Sequence, residues 1–207
     1  MKFNESFMNT NKLINFFYNN IYMTDCRTPK WDPPFWDNLR EQDLQTTNCY
    51  YYAFNVVNKN EDPENKYKIQ PGELTMPNTN KNNLTCENIL YNIEKDYNMK
   101  LRKVTLNEVL PCNHYRIAIV LDNEGDHRDY HFYRQDSPTP DGHLWSHKQG
   151  KGDIKNYDAS GEYITDPKKA DRNYSKADDK SQDKYNYGIF CGYFSVPYNG
   201  GPFYRDS

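Results

Sequence analysis

Apolar positions change period near the middle of this chain. From Cys49, Ala53, Val56 and Val57 recur at near-helical spacing while Tyr50, Tyr51 and Tyr52 fill the remaining faces. Thr46, Thr47 and Asn48 stand ahead of them as candidate caps. A second helix is expected over "LTCENILYNIEKDYN", where Leu84, Leu90, Ile93 and Tyr97 share one stripe and Thr85 is its candidate cap. After residue 114 the period becomes two. "HYRIAIVLD", "DYHFYRQD" and "GHLWSHK" read as neighbouring antiparallel strands, the first of them half-buried and the last two a hairpin, and "YGIFCGYFSVP" as a final strand. The pattern predicts an α+β domain in which strands near 115–122, 130–136, 143–148 and 187–196 form a central antiparallel sheet packed by the Cys49 helix.

The flanking segments complete the organisation. Residues 1–30 read as an N-terminal arm, helical around Leu13, Ile14, Phe16 and Phe17, and 31–207 as one domain. Trp31 and Trp36 lie beside Pro29, Pro33 and Pro34, a rigid aromatic segment expected to pack over a core. Residues 151–187 are charged and irregular and are expected to form a long surface excursion.

Composition changes this picture in two ways. The mean hydropathy of −1.11 is low for a globular chain, but 19 tyrosines and 10 phenylalanines supply apolar bulk that hydropathy scales undervalue. The net charge of −3 argues against a protein that coats nucleic acid, which needs a basic face. No apolar run approaches the roughly 18–20 residues needed to cross a bilayer. The amino-terminal stretch carries an acid and repeated asparagines where an export signal needs an apolar core. Cys26, Cys49, Cys86, Cys112 and Cys191 are odd in number, widely spread and form no CxxC pair. That pattern suits a reducing compartment, so a cytoplasmic location is expected, and it excludes a zinc ribbon.

Candidate chemistry centres on Cys49. A thiol at a helix start feels the positive end of the dipole, which favours thiolate where a basic partner helps; an ordinary buried cysteine is the other reading. Cys86 belongs to the second helix and reads as structural. Among five histidines, His131 in "RDYHFYRQD" and His147 in "LWSHKQG" lie on adjacent strands that can hold two imidazoles together. In that geometry His131 would take the thiol proton and His147 would orient it.

The order of helix-start cysteine, "QPGE" turn (70–73), strand-opening histidine and "GHLWSHK" resembles NlpC-like and CHAP-type cysteine peptidases of the papain-like class. The likeness covers roughly residues 45–150. It implies a papain-like fold and a thiol hydrolase, a peptidase or amidase acting through a thioester. Cys49 would be nucleophile, His131 base and His147 orienter, with Asp136 as an alternative orienter. Gln45 could add a donor to the oxyanion hole formed by backbone N–H groups near Cys49. No cofactor is expected on this reading, and the substrate would be a peptide or amide.

Two other readings are open. "HRDYH" and "HLWSH" each contain His-x-x-x-His, so His127, His131, His143 and His147 with Asp126 or Asp129 could form the site of a metal-dependent hydrolase. On one strand such residues stand about 13 Å apart, so chelation would require pairing across strands. The third reading is a non-catalytic papain-like binding or particle-associated protein that meets a protein partner through 151–187.

Overall fold

The computed structural model describes residues 27–59, 64, 67–75, 84–124, 128–137, 145–150, 152–176 and 185–198. The arm expected at 1–30 therefore falls almost entirely outside the described residues. Three short helices come first: α1 (Pro33–Asp37), α2 (Glu41–Thr46) and α3 (Cys49–Ala53). Asp32 caps α1 by accepting from Phe35 N–H, and the prolines at its start suit the one turn that needs no amide donor. Asn48 caps α3 by accepting from Tyr51 N–H. This helix ends at Phe54, because Asn55 turns left-handed with φ 58°; Val56 and Val57 lie beyond it. The longer α4 (Cys86–Tyr97) is capped by Thr85, which accepts from Asn88 N–H, and closes on left-handed Asn98.

Six strands follow: β1 (Arg102–Val104), β2 (His114–Asp122), β3 (Asp129–Gln135), β4 (Trp145–Lys148), β5 (Ile154–Lys155) and β6 (Ile189–Pro197). They pair antiparallel throughout in the order β1-β6-β2-β3-β4-β5. The four strands expected from the alternation are present, and the hairpin expected between β3 and β4 is an antiparallel pair with Arg134 opposite Ser146.

The two faces of the sheet carry separate cores. On the helix side, Tyr115, Ile117, Ile119 and Leu121 of β2 and Tyr130 and Phe132 of β3 pack against Cys49, Tyr50, Ala53 and Phe54 of α3 and Ile89, Ile93 and Tyr97 of α4. On the other side, Ala118, Val120, Tyr133 and Trp145 meet Ile164, Tyr174 and Tyr187. Most described residues of the expected surface excursion are exposed or half-buried, but Ile164, Tyr174 and Tyr187 anchor it on this second face of the sheet. For the same reason every residue of β2 after His114 is buried, where a half-buried strand was expected.

A disulfide joins Cys86 at the start of α4 to Cys191 in β6 across 105 residues, and Cys112 is disulfide-bonded as well. The β2–β6 register slips between Ile119, opposite Gly192, and Val120, opposite Phe190. The slip leaves Cys191 as an extra residue, a β-bulge that places it on the helix side with Phe194, three positions away, where strict alternation would separate them. Gly192 sits at φ 143°, and a Cβ there would meet the Lys103 side chain at 2.8 Å. These bonds differ from the reducing setting expected from cysteine spacing, since a pair brought together by a long crossover leaves no local spacing motif.

Candidate functional site

The residues expected to form one site fall on two faces of the sheet. Cys49 opens α3 and lies against β3, its Sγ 4.0 Å from the Tyr130 carbonyl oxygen. It shares the helix-side core with Tyr130 and Phe132. His131 lies between those two residues in β3, so its side chain is directed to the opposite face. There it stacks on Tyr187 and meets Tyr133 edge-on. No hydrogen bond links Cys49 to either His131 or His147 among the described residues.

The thiol environment opposes thiolate. Cys49 is 8% exposed, and burial, reinforced by the negative charge of Asp129, pushes its pKa up to about 12; the Phe132 N–H, Lys68 and Lys148 pull weakly the other way. A helix of barely more than one turn supplies too little dipole to reverse that desolvation. Cys49 is a free thiol within a packed core.

His131 and His147 do come together, with Nε2 of the first 2.8 Å from Nδ1 of the second. His147 Nε2 donates to the Tyr157 carbonyl at 3.0 Å, and a carbonyl can only accept. His147 Nδ1 is therefore the acceptor and His131 Nε2 the donor. Both rings are buried, and burial is the main cause that lowers both pKa values, that of His147 to about 4. The pair is a neutral structural hydrogen bond beneath Tyr133, Tyr174 and Tyr187.

The remaining expected site residues have other partners. Asp136 accepts from Arg134 Nε at 2.8 Å and from Ser146 Oγ, so it neutralises a buried guanidinium on the helix side instead of orienting an imidazole. Gln45 in α2 donates to Glu41 at 2.8 Å and makes no hydrogen bond to Cys49. The "QPGE" turn is fastened to α4: Asp96 accepts from Gly72 N–H at 2.7 Å, Leu74 N–H at 3.2 Å and the Tyr50 hydroxyl at 2.9 Å. Of the four histidines in the metal reading, His127 and His143 lie outside the described residues. Among the described residues no group of three or more His, Cys, Asp or Glu side chains could hold a metal ion.

Sequence reasoning missed two buried cations. Lys148 Nζ donates to the carbonyls of Leu44, Gly150 and Gly152 at 3.3, 2.9 and 2.9 Å, closing the turn after β4. Burial, then the neighbouring Lys68, pulls its pKa down to about 8. Arg134 is enclosed among Tyr52, Trp36 and Asp136. The signal available for Arg134 was an Arg-x-Asp pair within an aromatic strand, two residues that share a face.

The fold is thus an α+β protein with a six-stranded antiparallel sheet. No family model matches the chain, and no solved structure matches it significantly. Among curated proteins, Insoluble matrix shell protein 1 of Ruditapes philippinarum is 52% identical over 44 residues, which is 21% of this chain and 27% of that protein. The similarity thus spans about a quarter of the relative's length. No helix among the described residues is long and apolar enough to cross a membrane.

Proposed function

We propose that this chain is a disulfide-bonded, non-catalytic structural or binding module of an extracellular matrix. The observation that carries this reading is the enclosure of Cys49, with its pKa near 12 and its position across the sheet from the histidine pair. A nucleophilic cysteine needs thiolate at working pH and a base within reach. A thiol of that pKa is ionised to roughly one part in 10^5 at pH 7, and no imidazole adjoins it. The Cys86–Cys191 disulfide supports an oxidising compartment over the cytoplasm. The 44-residue likeness to an insoluble shell-matrix protein supports the matrix assignment. A partner would meet the outer side of the segment between β4 and β6, where Tyr157 and Tyr163 are 41% and 54% exposed.

Thiol-directed acylating and alkylating probes test the catalytic half. The folded protein is expected to remain unmodified at Cys49 until denatured. A Cys49 adduct forming at neutral pH, with turnover of an amide, would return the thiol hydrolase to first place. Fractionation of source material tests the location: the expected result is recovery outside cells with Cys86 and Cys191 bonded, and recovery in the cytosol with both reduced would overturn it.

A further inference from the structure

The second face of the sheet is covered by residues 156–176 and 185–187, which are held by the Asn186–Asp122, Tyr187–Asp129 and Tyr193–Asp166 hydrogen bonds and by two imidazoles. His147 on β4 donates to the Tyr157 carbonyl of the cover and accepts from His131 on β3. Tyr187 stacks on His131 with ring centroids 5.3 Å apart, and Tyr174 lies 6.3 Å from His147. Tyr133 of the sheet contacts both imidazoles. The bonding sequence uses one proton per ring, and His147, whose Nε2–H is given to Tyr157, can take a second only at the Nδ1 that accepts from His131. A proton added to His147 Nδ1 would face the His131 N–H and break the bond between them.

Among the described residues one carboxylate, that of Asp158, favours a charged His147, and the Lys155 ammonium outweighs it. Asp158 is held in its own loop, where it accepts from Ser160, Glu162 and Asp171. Asp129, on the sheet, accepts the Tyr187 hydroxyl. Lys155 lies on the His147 side and adds positive charge, and Arg172, which acts on Tyr133 and Tyr174, adds another. The helix-side core, by contrast, holds a separate set of apolar contacts and the Cys86–Cys191 bond.

We infer that the His131–His147 pair is an acid-sensitive latch: neutral, it fastens the cover to the sheet; protonated, it releases residues 156–176 and 185–187 while the helix-side core stays folded. The sign follows from linkage. Both imidazoles are held below their ordinary value of about 6.5 in the closed state and regain it when the cover lifts. The open state therefore binds more protons below about pH 6.5, and opening grows as pH falls, levelling out near pH 4 for His147. Each proton taken up contributes up to about tenfold per pH unit to the opening equilibrium.

Hydrogen exchange between pH 7 and 4.5, corrected for intrinsic chemical rates, tests this on the wild-type protein. Protection in 156–176 is expected to fall tenfold or more per pH unit below 6 while β2 keeps its protection. Constant protection of 156–176, or its loss together with β2, overturns the latch. In His131→Gln, which keeps a donor for His147 but cannot titrate, the pH dependence should drop toward a single proton, and an unchanged slope also overturns it. If that variant does not fold, the wild-type profile decides alone.

Discussion

The guanidinium of Arg134 and the carboxylate of Asp136 face each other at 2.6 Å with both side chains enclosed. Arg134 also donates to the carbonyls of Tyr52 and Lys30, the Asn55 side chain and the Tyr52 hydroxyl, and lies 4.0 Å over the Tyr52 ring. One cation thus ties β3 to the end of α3 and to the segment before α1. Removing one partner strands the other charge in the core, a loss of about 3–5 kcal/mol. Arg134→Met and Asp136→Asn should each lower urea-unfolding stability by that amount, and the paired replacement Arg134→Met with Asp136→Leu should recover much of it. A loss below about 1 kcal/mol for Arg134→Met would mean that water reaches the pair.

Cys49 should act on stability. Cys49→Ala removes a sulfur from contact with Tyr130 and Phe132 and is expected to cost about 1–3 kcal/mol. His131→Ala breaks the bond to His147, leaves a buried acceptor unpaired, and should cost at least as much. For exposed catalytic residues both thermal midpoints would stay near that of the wild type, so differential scanning calorimetry separates the two roles.

Much of the architecture is legible in the chain. β2 and β3 follow from alternation to within a residue, and Thr85 signals the start of α4. The failures have local causes. β1 and β5 span three and two residues, too few to carry a period. Cys49 and His131 looked compatible because both parities of "DYHFYRQ" are aromatic or polar. The sequence therefore does not reveal whether Tyr130 and Phe132 or His131 and Tyr133 meet the helix. The cover was unreadable because its anchors Ile164, Tyr174 and Tyr187 are spaced ten or more residues apart among charges.

The Cys86–Cys191 bond closes a long loop, and chain entropy assigns such a loop a stabilisation of about 4–5 kcal/mol. The Cys86→Ala, Cys191→Ala double variant should therefore unfold at markedly lower denaturant concentration than wild type, while reductant should bring the wild type at least as low because it also opens the Cys112 bond. A double variant with an unchanged midpoint would show that the bond contributes nothing to the fold.

Alkaline pH should unfold this protein abruptly, because its core is built from phenols. Tyr50, Tyr97, Tyr115, Tyr130, Tyr133 and Tyr187 are all buried, and desolvation is the first cause raising each above the ordinary value near 10. As pH rises through about 10, the unfolded chain releases phenolic protons that the folded chain keeps. Unfolding then gains up to about 1.4 kcal/mol per pH unit for each buried tyrosine. Lys148 acts in the opposite sense: its pKa, lowered to about 8, makes stability rise with pH from there to its ordinary value. It is one group against six, so the phenols decide. Tyrosinate absorbance near 295 nm should therefore rise in a steep, cooperative step between about pH 10 and 11, coincident with loss of far-ultraviolet dichroism. A gradual titration with the dichroism intact would mean that water reaches these hydroxyls in the folded state.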